Sequence, residues 1–220
     1  MPPIITSRIL IMSTRLKTKI KIQCFSIDRM KLLFAAILLF GFVPEIRSQN
    51  ISFFREKIKI IVQDSVCTVE GTYYFKNDSG EKIRKPLLYP FFVNDSMPCP
   101  EQAEVINFFD NKQIPFIKAK NAVSFHITLA PKSIAAYKVI YKQKTPFKMM
   151  RYILTTTKRW GRPFQIAEYE IQIPKKLKLI RSTINNLSKT VSGRWKKYYI
   201  RLEDFMPQKD LVIRWRRQNR

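Results

Sequence analysis

From Ile58 onward, apolar and polar residues alternate with a period of two, and the pattern returns almost to the end of the chain. A strand turns successive side chains to opposite faces, whereas a helix brings them back every 3.6 residues. Such runs predict half-buried strands, and no segment after the leader sustains helical spacing. Ile58, Ile60 and Val62 make the first apolar row, and Val69, Gly71, Tyr73 and Phe75 the second. Asn77-Asp78-Ser79-Gly80 then supplies a turn, because Asn, Asp and Gly tolerate turn dihedrals. Residues 87–93 follow Pro86 and contain Pro90, which restricts them to a sheet edge or an irregular extended piece.

Residues 94–102 read as a loop. Residues 105–109 and 114–118, joined by Asp110-Asn111-Lys112-Gln113, read as a hairpin. Val123, Phe125, Ile127 and Leu129 form the next row, then Tyr137, Val139 and Tyr141. Residues 143–150 read as a linker between two halves. Residues 152–157, YILTTT, are rich in β-branched side chains and predict a strand. The clearest alternation follows, with Ala167, Tyr169, Ile171 and Ile173 inward and Glu168, Glu170 and Gln172 outward. Leu177 and Leu179 begin another strand, and residues 182–193 read as loop. Tyr198, Ile200 and Leu202, then Leu211, Ile213 and Trp215, complete the series. About ten short strands separated by turns predict an all-β, antiparallel, immunoglobulin-like β-sandwich. An incomplete barrel is the alternative, and the sandwich could divide near 143–150.

Ahead of the strands, residues 30–49 read MKLLFAAILLFGFVPEIRSQ. Lys31 is followed by an apolar run over residues 32–43, then Pro44 and polar residues, which is the order of a secretory signal. Twelve apolar residues fall short of the roughly 20 that span a bilayer as a helix. Residues 30–48 are therefore expected to be a cleaved signal, with Ser48 before the cut, and an uncleaved membrane anchor is the competitor. Residues 1–29 are a basic extension that a start at Met30 would remove. The β-domain then covers residues 49–220, in a secreted, periplasmic or cell-envelope protein.

The chain carries 41 Lys+Arg and 16 Asp+Glu. Residues 49–220 hold 33 of those bases and 14 of the acids, a net charge of +19. Such a surface attracts anionic polymers or lipid headgroups in a salt-dependent way. Nucleic acid fits the charge and does not fit secretion. Two cysteines follow the leader, Cys67 in a strand and Cys99 in a proline-flanked loop. In an oxidising compartment they are the candidate disulfide pair, provided that folding brings their Cα atoms within about 7 Å.

Catalytic signals are sparse. His126 is the only histidine and sits on the polar side of its strand, with no nucleophile or acid beside it. One histidine and two cysteines after the leader fall short of a four-ligand zinc site. Only 5 glycines occur, with no phosphate loop and no nucleophile elbow. No cofactor is expected. The paired acids Glu101 with Glu104 and Glu203 with Asp204 read as solvated turn acids, although a hydrolase site built from distant loops would draw on them.

Two basic-aromatic clusters are the candidates for binding an anionic ligand. One is Arg151 with Lys158, Arg159, Trp160 and Arg162; the other is Arg194, Lys196 and Lys197 around Trp195. Charge and stacking together suit phosphate or sugar polymers. The plainer reading puts Trp160 into the edge of the core and the bases in water. Asn50, Asn77, Asn94 and Asn186 open N-x-S/T triplets, which matter only in a eukaryotic secretory pathway.

The stretch SVCTVEGTYYFKN, with YPFF after it (residues 65–92), resembles secreted β-sandwich proteins that carry V-x-G-x-Y-x-F-x-N. It is similar to the amino half of vault/inter-alpha-trypsin-type domains and to uncharacterised bacterial envelope proteins. The resemblance covers about a quarter of the chain after the leader and lacks the metal-binding Asp-x-Ser-x-Ser loop of a following adhesion domain. It implies a module without catalysis. The expectation is a structural or interaction module, with another envelope protein or an anionic polymer as partner, or membrane contact through an uncleaved leader; its oligomeric state stays open.

Overall fold

The computed structural model describes residues 51–218. The extension 1–29, the leader 30–48 and Asn50 lie outside the described residues. The strands are β1 (Ile51–Gln63), β2 (Val66–Asn77), β3 (Ile83–Pro90), β4 (Ala103–Asn107), β5 (Phe116–Ala119), β6 (Ala122–Leu129), β7 (Ile134–Lys144), β8 (Met149–Tyr152), β9 (Phe164–Pro174), β10 (Leu177–Ser182), β11 (Ser188–Ser192), β12 (Trp195–Phe205) and β13 (Leu211–Arg217). A short 3-10 turn, Thr155–Trp160, interrupts them. The protein is all-β and sandwich-like.

One sheet has seven strands in the order β11-β12-β9-β1-β2-β7-β4. Its neighbours are antiparallel except β1 and β9, which run parallel. Parallel neighbours need a long crossover, and here it carries everything from β2 to β8. Two three-stranded sheets, β3-β6-β5 and β10-β13-β8, complete the fold. Both pack on one face of the large sheet. Phe125 of β6 meets Tyr137 of β7 at 6.0 Å between ring centres. Tyr152 of β8 bonds to Tyr73 of β2, and Tyr73 stands opposite Tyr137 in the register.

The predicted apolar rows form this core. Ile58, Ile60, Val62, Val69, Phe75, Val139, Tyr169, Ile171 and Ile173 are all buried, as are Val123, Phe125, Ile127 and Leu129 from the covering sheet. Each such side chain contributes about 1.5–3 kcal/mol by leaving water. The other face of the large sheet carries Arg55, Lys57, Glu70, Tyr74, Glu168 and Tyr199. The prolines of β3 sit as their chemistry requires, because that strand is an edge.

Four local expectations are corrected. The 105–118 hairpin does not form: β4 pairs with β7 and β5 with β6, leaving only an isolated Ile106–Gln113 bridge. The turn at 120–121 is shorter than the 110–113 turn, and through it β5 pairs with β6 from Phe116 to Ala119. YILTTT ends as the 3-10 turn, because Asp210 accepts hydrogen bonds from the Leu154 and Thr155 amides and from the Thr155 hydroxyl. Residues 188–192 form β11, an exposed edge strand whose partner β12 supplies the ladder that its polar sequence does not signal. Residues 143–150 are no free linker, since β7 runs to Lys144 and β8 starts at Met149.

Candidate functional site

The second basic cluster lies at one end of the large sheet, where three turns meet. The β1–β2 turn brings Gln63 and Asp64, the β9–β10 turn brings Pro174, Lys175 and Lys176, and Arg194 and Trp195 follow the β11–β12 turn. Together they line a groove of about 510 Å3. The Lys175 amide donates to the Arg194 carbonyl at 2.9 Å, tying two of the turns. The Arg194 guanidinium lies 5.2 Å from the centre of the Trp195 ring. Gly193 takes a left-handed φ of 52°, which glycine adopts without a Cβ penalty.

The groove is strongly cationic. Lys196 donates to the Leu177 carbonyl and to Gln218. Burial, then repulsion from Lys189, Lys178 and Lys175, lowers its pKa. Asp64, the acid of this groove, is held at 2.8 Å by Arg217. That hydrogen bond, with Lys148 and Lys176 nearby, keeps its carboxyl below the usual carboxylate range. Lys197 has the opposite parity to Lys196 in β12 and stands beside Gln172 on the other sheet face.

The first cluster is dispersed. Arg151 binds Asp210 at 2.8 Å and stacks on Phe92 at 4.5 Å. Lys158 reaches Gln208. Trp160 is half-buried against Phe53 and Phe75, with the Lys85 ammonium 5.3 Å from its ring centre. Arg162 is exposed. Arg159, also exposed, is at a second cavity.

That cavity, about 380 Å3, lies at the seam between the two small sheets, above the large one. Phe53, Tyr73, Tyr89, Tyr152 and Trp160 give it aromatic walls, and Glu56 lies among its lining residues. The Tyr73 hydroxyl meets those of Tyr89 at 2.9 Å and Tyr152 at 2.7 Å. Glu56 is 2% exposed, and Tyr169 donates to it at 2.5 Å. Burial pushes the Glu56 carboxyl up to about 8, against the lowering effect of Tyr169. A bulge between Phe53 and Arg55 reverses the parity of β1, so that Phe53 and Glu56 both face the core. The sequence contains the signal for Glu56: it shares the parity of Ile58, Ile60 and Val62.

The acids that a hydrolase would need do not converge. Glu104 is on β4 and Glu203 on β12, with β7, β2, β1 and β9 between them. At about 4.8 Å per strand spacing this is roughly 24 Å. Glu101 pairs with Lys144 and Glu203 with Arg201, and His126 is exposed on β6. Among the described residues, no three His, Cys, Asp or Glu side chains are grouped to hold a metal.

Cys67 and Cys99, the candidate disulfide pair, stand as free thiols in this structure. Cys67 points into the core and contacts the Thr145 hydroxyl. Cys99 lines a surface groove with Val66, Lys142 and Lys144, side chains of the opposite strand parity. Asn94 and Asn186 are exposed, whereas Asn77 is fully buried. The Asn77 amide donates to the carbonyls of Glu81 and Ala130, which leaves no hydrogen for a glycan bond in the folded state.

No family model, the vault/inter-alpha-trypsin type included, and no curated protein matches the chain. Solved structures do. A Legionella pneumophila protein described as a "putative nutrient binding protein" aligns with TM-score 0.62 and 17% identity, over 76% of this chain and 67% of its own. An M1 zinc metallopeptidase from Deinococcus radiodurans aligns with TM-score 0.47 and 9% identity, and this chain spans 42% of its length. The Legionella likeness is one of fold.

Proposed function

We propose that the β-unit is a non-catalytic binding module, exported to the cell envelope or beyond, that holds an anionic polymer in the groove at the end of the large sheet. The observation that supports this most is convergence. Lys175 and Lys176 from one turn and Arg194 from another meet in one groove with Trp195, and Asp64 there is already neutralised by Arg217. Lys178, Lys189 and Lys196 add to the same field. Bases held together by backbone contacts between turns attract a repeating anion more than the same bases scattered singly. Trp195 offers a face for a sugar or an apolar part of the polymer.

The test is elution from heparin in a salt gradient. The full chain should lose retention steeply between about 0.05 and 0.5 M salt, as screening shortens to a few ångströms. Reversing Lys175, Lys176 and Arg194 to Glu should elute it much earlier than reversing Lys57, Lys138 and Lys142 on the other sheet face. Equal effects of the two triple variants would reduce the binding to net charge, and retention independent of salt would remove the electrostatic reading.

A further inference from the structure

We propose that the cavity at the seam is a binding site for a small organic ammonium ion, held by Glu56 and the aromatic rings around it. The proposal stands apart from the basic groove and does not depend on it. Glu56 is an acid inside the sandwich, with a tyrosine hydroxyl on it and, among the described residues, no paired cation. A buried carboxylate without a counter-charge costs several kcal/mol, so Glu56 without a cation beside it keeps its proton. An entering ammonium supplies the missing charge. The walls suit the same ligand, because the faces of aromatic rings attract cations, and Trp160 already draws Lys85. A volume of about 380 Å3 falls within the range of small-ligand sites.

The groups that face Glu56 leave it to set the charge. Tyr169, Tyr73, Tyr89 and Tyr152 are all raised by burial and stay protonated across neutral pH. Arg55, its chain neighbour, points to the other sheet face and is paired with Glu168. Arg159, at the cavity, is exposed and screened by water. Well below about pH 8, while the bound carboxylate stays ionised, binding an ammonium to Glu56 therefore releases close to one proton.

Calorimetric titration of the full chain with phenethylamine, against 2-phenylethanol as a neutral analogue of the same shape, tests this. The amine should bind at least about tenfold more tightly at pH 8.5, and lose about tenfold in affinity per pH unit between 7.5 and 6. Two buffers of different ionisation enthalpy should count close to one proton released at pH 6.5. The alcohol should show neither effect. Glu56→Gln, which matches the shape of the neutral carboxyl, should bind amine and alcohol alike. Equal affinities in the unsubstituted protein, no amine binding at about 10 mM, or unchanged amine preference in the variant would each overturn the proposal. If the variant does not fold, the comparison of amine with alcohol decides alone.

Discussion

Gly71 makes room for the end of the Tyr73 side chain, two residues further along the same strand. A Cβ at position 71 would stand 1.8 Å from the Tyr73 hydroxyl oxygen and 2.5 Å from its ring carbon Cζ. The ring lies back along β2, over the residue that has no side chain, and its hydroxyl reaches the seam where Tyr89 and Tyr152 meet it. The glycine and tyrosine of V-x-G-x-Y are thus one structural unit. Gly71→Ala should destabilise the protein by about 1–3 kcal/mol through overpacking, which lowers Tm by about 2–4 °C per kcal/mol at this size. Adding Tyr73→Phe should restore only part of the loss, since the contact with Cζ remains. Thermal melts of the two variants check this.

Glu56 should make the protein less stable as pH rises. Its carboxyl keeps the proton up to about 8 in the folded state, against an ordinary value of 4.5. Between those values the folded state binds more protons than the unfolded one, so stability is fully present below about 4.5 and falls until about pH 8. The total is on the order of a few kcal/mol. Glu56→Gln should remove that slope and be more stable than the unsubstituted protein at pH 8. Urea midpoints at pH 5 and pH 8 measure it, and parallel curves for the two proteins would count against it.

Asp210 works in the opposite direction. Burial alone would raise its carboxyl, but hydrogen bonds from Arg151, Thr155 and Leu154 bring it below the ordinary value. Its stabilisation is present above the unfolded pKa and is lost as pH falls through the folded one. Asp210→Asn can keep an acceptor oxygen on Leu154 and Thr155, but it removes the charge and turns an amide donor toward Arg151, which already donates there. It should cost about 2–3 kcal/mol, less than a fully buried pair because Arg151 is half in water. Chemical denaturation at pH 7 reads the loss, which should shrink at pH 2–3.

The two cysteines of the β-unit should differ in reactivity. Burial pushes the Cys67 thiol up to about 12, so it is neither ionised nor accessible at pH 8, whereas Cys99 is half-buried. Iodoacetamide labelling followed by peptide mapping should modify Cys99 in the native protein and Cys67 only after unfolding. Protection of both until a reductant is added would instead reveal a disulfide between them.

Much of this fold is legible in the sequence. Ile58, Ile60 and Val62 announce their face without any knowledge of what covers it, and the β9 row is equally clear. Pro86 and Pro90 mark an edge strand because a missing N–H cannot serve a central ladder. The failures share a cause. YILTTT has the residues of a strand, yet an acid 56 residues away from Leu154 bends it into a 3-10 turn. β11 has no apolar face of its own and is held by its partner. The candidate site divides likewise: Arg194 and Trp195 are visible as a cluster, but Lys175 and Lys176 join them only through the meeting of turns.

The sequence by itself determined the all-β class, the position of most strands and the residues that each turns inward. These follow from alternation, which is local. Tertiary structure alone decided the partner of each strand, the parallel contact between β1 and β9, and the gathering of Glu56, three tyrosines and Trp160 around one cavity. The physical reason is that backbone hydrogen bonds are the same for any partner. Pairing is chosen by how whole faces pack, and a seam between two small sheets exists only once both have docked on the third.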